Sequence, residues 1–279
     1  MRAARGGPFD TERDLPPEIV TALEARYHLD ESLPRQYLRS LTGLVRGDFG
    51  PSLRYRGVAV NRILAGGLPV SLLLGAGALL VALLFGIPAG LGSALRRGRL
   101  PDHGVLLGST LFLAVPNFVL AGFLVLCFSF VLGWLPPAGL GGPDHLLLPW
   151  LSLGAPFAAQ VARLTRTAAL EVLASPAWRT ARAQGLPPAV LVRRHLLRRT
   201  LVPVVAFLGP AAAGLLTGSL VIEQVFALPG LGTHFVQAAL NRDYTLALGL
   251  TVVYTALLGL LTLAADLLLQ RLDPRLEAA

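Results

Sequence analysis

Long apolar runs, separated by short polar segments that carry arginine, set the rhythm of this 279-residue chain. A membrane-crossing helix needs about 20 predominantly apolar residues. Five runs reach or approach that length, over residues 68–95, 104–132, 146–162, 201–223 and 246–269, the third being the shortest. The pattern predicts an all-α, multi-pass transmembrane helical bundle. Within the first run Ala78, Ala82, Gly86, Gly90 and Ala94 recur at every fourth position, a stripe of small side chains along which a second helix can approach closely. Gly214 and Gly218 form a GxxxG in the fourth. Pro88, Pro116 and Pro210 are expected to kink their helices.

Two polar stretches interrupt the pattern. Residues 1–67 carry ten arginines and two amphipathic helical patterns, one running to about Tyr27 and one from about Pro34 to Arg46. In the second, Tyr37, Leu38, Leu41, Leu44 and Val45 share a face, and Gly47 offers a stop. The other stretch, Arg163 to Pro203, has eight arginines against one carboxylate, Glu171, a net +7. An arginine at the centre of a spanning helix costs about 2.5–3.5 kcal/mol, so most of this stretch stays at a membrane face.

Local punctuation within the second stretch predicts a short helix over 176–184. Ser175 supplies an N-cap hydroxyl and Pro176 the first helical position. Gly185 suits a left-handed stop, and Pro187-Pro188 blocks continuation. Ala177, Thr180, Ala181 and Gln184 fall on one small-residue face, with Arg179 and Arg182 opposite. Two readings fit: a helix that enters a groove on another protein, or one that lies on anionic lipid headgroups.

Composition sharpens the class. Charged residues make up 14% of the chain and apolar ones 54%, against about 25% charged in a soluble domain. All 24 basic residues are arginine. A phosphate-binding P-loop needs a lysine, so no such loop lies in this sequence, and any ATP driving it binds elsewhere. The single Cys127 sits in an apolar run and reads as a small hydrophobe. His28, His103, His145, His195 and His234 are scattered, without metal-ligand spacing. Neither paired carboxylates nor a Ser-His-Asp set lies at useful spacing, which counts against a membrane-anchored enzyme. Glu223 and Asp266 read as charges near helix ends that snorkel or pair, Arg271 being a candidate partner for Asp266.

Charge between the runs predicts orientation. Arg96, Arg97 and Arg99 lie between the first and second runs, the +7 stretch between the third and fourth, and Arg271 and Arg275 after the fifth. Residues 133–145 have no arginine and 227–245 only Arg242. The positive-inside rule puts the basic segments and the C-terminus in the cytoplasm. Residues 1–67 would then be external, which leads us to expect a further spanning helix upstream of Met1. The expected organisation is an external segment, 1–67, followed by a transmembrane domain, 68–275, with a cytoplasmic loop over 163–200.

With that topology in view, the chain resembles the permease subunits of bacterial ABC importers of the oligopeptide/dipeptide type. The resemblance rests on GGPF, LPPE (15–18), EARYHLD (24–30), GDFGPS (47–52), PVSLLLG and VPNFVL (115–120), then WLPPAG (134–139) and EVL-(x)5-RTARAQG followed by RRHLLRRTLVP. It continues through VIEQVFALPGLG (221–232), ALNRDY (239–244) and LDPR. It implies a six-span family fold, a second homologous permease, two cytoplasmic ATPases that hold ATP and Mg, and an extracytoplasmic substrate-binding protein, in the bacterial inner membrane. This chain itself would need no cofactor or metal and carry no catalytic residue. By the same resemblance 176–184 is a coupling helix, with Ala177, Arg179, Thr180, Ala181, Arg182, Gln184 and Gly185 as ATPase-coupling residues. Gln184 stands where the family usually has lysine, and 195–200 is more basic than usual. Glu223, Pro229, Gly230, Gly232 and Asp243 are candidates for the pore or its periplasmic mouth, the PGLG segment (229–232) reading as a turn or re-entrant feature. The competing class, an ion-coupled secondary transporter, usually has ionisable residues deep in its spans, and none stands out here.

Overall fold

Pro116 marks the sharpest break in the chain. In the computed structural model, which describes residues 31–55 and 57–272, the second apolar run is two helices bent by 104° at this point. Proline lacks a backbone N–H and disfavours helical backbone in the residue before it; Val115 is accordingly extended (φ −86°, ψ 123°). The described elements are α1 (Leu33–Val45), α2 (Val60–Leu95), α3 (Leu100–Ala114), α4 (Asn117–Val131), α5 (Asp144–Ala174) and α6 (Pro176–Ala183). There follow α7, continuous through Pro188–Val190, Leu191–Leu197 and Arg198–Val225, then α8 (Leu231–Leu240) and α9 (Tyr244–Leu272). The last part of α4 and residues Leu191–Leu197 of α7 are π-wound. Pro88 and Pro210, by contrast, lie within unbroken helices. Among the described residues the architecture is all-α, with one isolated bridge between Pro51 and Ala59. The first amphipathic pattern, GGPF, LPPE, EARYHLD and the LDPR ending fall outside the described residues, as do the side-chain surroundings of Gly218.

Among the described residues three helices, α2, α7 and α9, are long and apolar enough to cross a bilayer, and α3 with α4 make a fourth if the bent pair is one span. The expected third span lies inside α5, where Pro149, Ser152, Pro156 and Gln160 dilute its apolar character. Leu80, Leu84 and Phe85 of α2, Leu107 and Leu111 of α3 and Phe123 of α4 are exposed. Large apolar side chains laid bare in this number suit a lipid solvent.

By compactness the described residues divide into those up to Val70 with Pro229–Thr255, and Ser71–Leu228 with those from Ala256 onward. In the first unit Val60 and Leu64 of α2 pack with Leu231 and Ala238 of α8 and Leu246 and Leu250 of α9. Helix α1 presents Tyr37, Leu38, Leu41 and Val45 without burying any residue. It ends at Gly47 (φ 70°), as the sequence pattern predicts.

In the second unit α5 is the hub, packing against α3, α4, α6 and α7. The small-residue stripe of α2 also faces it: Ala78, Ala82, Gly86, Gly90 and Ala94 are all buried. A Cβ placed on Gly86 would lie 2.7 Å from the Ala158 carbonyl oxygen, and one on Gly154 would lie 2.6 Å from that of Ala78. The two backbones are thus in contact through glycine on both sides. Gly214 of α7 gives room to Phe157, whose Cζ is 2.9 Å from a Cβ placed there.

Candidate functional site

Helix α6 is short because both its ends are specified. Ser175 adopts extended backbone (φ −69°, ψ 149°), and its hydroxyl accepts from the Trp178 amide at 3.3 Å and donates to the Val172 carbonyl at 2.6 Å. The same residue thus closes α5 and opens α6, with Pro176 at the first helical position. At the other end Gly185 has φ 71°, a left-handed conformation that L side chains rarely adopt. Pro187 and Pro188 then begin α7.

One face of α6 belongs to the chain's own interior. Trp178 packs against a cluster of Ala94, Ala169 and Leu196, which draws together the ends of α2 and α5 and the start of α7, and Ala181 is 5% exposed. Ala177, Arg179, Thr180, Arg182, Gln184 and Gly185 are exposed. This corrects one expectation: Ala181 does not share an open small-residue face with Ala177, Thr180 and Gln184. Trp178 carries the largest apolar surface on the helix and decides which side turns inward, and Ala181, one turn on, follows it. Arg179 donates to the Ala174 carbonyl at 3.1 Å, which satisfies the end of α5.

Beside this apolar cluster lies a polar one that sequence reasoning missed. Asp102, in the first turn of α3 and 2% exposed, receives four hydrogen bonds. Arg166 of α5 donates through Nε at 2.7 Å and through Nη2 at 3.0 Å, the Ser93 hydroxyl of α2 at 2.5 Å, and the Gly98 amide at 2.8 Å. In the sequence Arg166 is only one of eight arginines between Arg163 and Pro203. The available signal was Asp102 itself, a lone carboxylate beside Arg96, Arg97 and Arg99 in an otherwise basic connection.

The mouth candidates fall in both compact units. In the second, Glu223 is fully buried and accepts from the Ser71 hydroxyl at 2.7 Å. It is paired inside the protein, not extended to water. In the first unit PGLG is more than a turn: Gly230 is the N-cap of α8, Leu231 and Gly232 form its first turn, and both glycines are buried while Pro229 is exposed. Asp243 is 1% exposed and fully engaged. It accepts from the Ser52 hydroxyl, the Leu53 amide at 3.1 Å, the Arg54 amide at 3.3 Å, the Thr245 hydroxyl at 3.0 Å and the Leu246 amide at 3.1 Å. A carboxylate so occupied caps α9 and straps GDFGPS to it; it has no free face for a solute. Asp266 is exposed, without an ion pair to Arg271. Cys127 is half-buried in the π-wound part of α4. Among the described residues no three His, Cys, Asp or Glu side chains converge as metal ligands would. On α8, outside the spans, burial holds the His234 imidazole below its ordinary pKa.

Comparison with known proteins gives a consistent picture. Residues 86–278 match the family described as binding-protein-dependent transport system inner membrane component. The chain is 42% identical over 279 residues to the oligopeptide transport system permease protein OppB of Escherichia coli (strain K12), covering 99% of this chain and 91% of that protein. It is 39% identical over 277 residues to the dipeptide transport system permease protein DppB of Bacillus subtilis (strain 168), covering 99% and 90%. Among solved structures, an inward-facing form of the MetNI methionine ABC transporter superposes with a TM-score of 0.63 at 21% identity, over 76% of this chain and 96% of that one. At that identity the likeness is one of fold.

Proposed function

We propose that this chain, which belongs to the family of binding-protein-dependent transport system inner membrane components and is an ABC-importer permease subunit, forms half of a pore for peptides or peptide-like solutes. The names of its OppB and DppB relatives support that cargo. A second homologous permease supplies the other half. Two ATPases bind and hydrolyse ATP, and a binding protein delivers solute from outside. The absence of any lysine from the sequence supports the assignment of ATP and Mg to those partners. The arginine distribution supports a cytoplasmic loop over 163–200, a cytoplasmic C-terminus and an external segment 1–67 in the inner membrane.

The observation that carries the reading is the build of α6: capped at both ends, anchored inward by Trp178 and Ala181, and exposed at Ala177, Arg179, Thr180, Arg182 and Gln184. Such a helix can seat on a partner and pass displacement into the bundle. ATP binding changes the partner's contacts with α6, and a ligand shifts an equilibrium only through such differential contacts. The pore then alternates between inward- and outward-facing forms.

The test is reconstitution with the cognate second permease, ATPases and binding protein in proteoliposomes. Peptide uptake should require ATP and all partners, and Thr180→Trp or Gly185→Pro should lower it at least tenfold without loss of membrane insertion. Uptake driven by a proton gradient in the absence of the ATPases would refute the proposal in favour of an ion-coupled carrier.

A further inference from the structure

We infer that the Asp102–Arg166 pair is a positioning device for coupling, holding the ends of α2, α3 and α5 beside α6 so that they move with it as one block. The inference rests on the transport reading above and adds to it the residues that transmit the displacement.

The geometry carries it. Arg166 meets Asp102 through two nitrogens, at 2.7 and 3.0 Å, and a two-point contact between planar groups fixes orientation as well as distance. The other donors to Asp102 come from α2 (Ser93, 2.5 Å) and the α2–α3 turn (Gly98, 2.8 Å). Three helix ends therefore meet at one carboxylate. Within one turn of this junction along α2 and α5 lie Ala94 and Ala169, which with Leu196 form the floor under Trp178 of α6. The two layers act in series. A push on α6 reaches α5 directly through Ser175, and reaches α2 and α3 through the apolar floor, the packing of both helices on α5 and the ion pair. Without the pair, α5 could turn or slide against α3, and part of the displacement would be lost as local slack. A buried ion pair is weak evidence for stability as such, since apolar replacements often serve equally well. What such a replacement lacks is the directional constraint.

The fully reconstituted transporter separates the two roles. Asp102→Asn and Arg166→Gln each leave one group of the pair unmatched and should lower thermal stability. The double variant removes both charges and should recover stability and assembly. We expect uptake per ATP hydrolysed to fall tenfold or more in all three, the double variant included, with ATP hydrolysis in assembled complexes kept within about twofold. Arg166→Lys, which keeps the charge without the fork, should lose less than Arg166→Gln. Recovery of uptake per ATP in the double variant would make the pair merely structural and overturn the inference. So would equal losses in the Lys and Gln variants, or losses that track the amount of assembled complex. Failure of the unmodified transporter to take up peptides with ATP would remove the transport reading itself, and this inference with it.

Discussion

Gly86→Ala and Gly92→Ala place the same methyl group six residues apart on α2, and the structure assigns them different effects. In open helix the exchange gains about 1 kcal/mol, because alanine loses less backbone freedom on folding and has the higher helix propensity. Gly92 is such a position, with no heavy atom within 4 Å of a built Cβ. At Gly86 the new Cβ would stand 2.7 Å from the Ala158 carbonyl oxygen and 2.8 Å from Val161 Cβ. Ordinary contacts are about 3.3 Å or more to oxygen and about 3.5 Å to carbon, so the helices must part by roughly 0.6–0.7 Å. The obstacle includes backbone on α5, which cannot swing aside as a side-chain tip can. Overpacking of this kind costs about 1–3 kcal/mol, which cancels or exceeds the propensity gain. The two variants should therefore differ by about 1–3 kcal/mol, Gly92→Ala being the more stable. Thermal unfolding of the purified chain in one detergent, with helicity as the readout, measures the order directly. Equal stability, or Gly86→Ala the more stable, would refute the claim that α2 and α5 meet backbone to backbone.

Two further outcomes follow from the first unit. Asp243→Ala leaves buried donors unmatched and should destabilise by about 3 kcal/mol or more, whereas Ser52→Ala removes one of several bonds and should cost about 1 kcal/mol, both measured by denaturant or thermal unfolding. His234 supplies a pH dependence: burial lowers its folded-state pKa below the unfolded 6.5. Above that value both states are neutral and the contribution is complete; as pH falls below it the unfolded chain binds the proton first and stability declines. His234→Gln should flatten that slope in melting curves between pH 7 and 5.

The limits of α6 were legible because they are local. Ser175, Pro176 and Gly185 act through their own backbone and nearest neighbours, and the helix starts at Pro176 as spacing predicts. Which side of α6 is open was not legible, since that depends on Ala94, Ala169 and Leu196, brought from distant parts of the chain. Asp243 shows the same division. As part of ALNRDY it suggested a mouth residue, and only the fold brings Ser52, Leu53 and Arg54 to its oxygens.

From sequence alone follow the membrane class, the all-α architecture, the limits of α6 and the small stripe of α2, because hydrophobic periodicity, capping and glycine spacing are written in consecutive residues. The tertiary structure decided the rest: that Pro116 bends its span by 104°, that α5 is a packing hub, and that Asp102 meets Arg166 across 64 residues. An ion pair between helices leaves no periodic trace in sequence. Its geometry exists only once the helices have packed, and it is that packing, more than the charges themselves, that gives the pair its place.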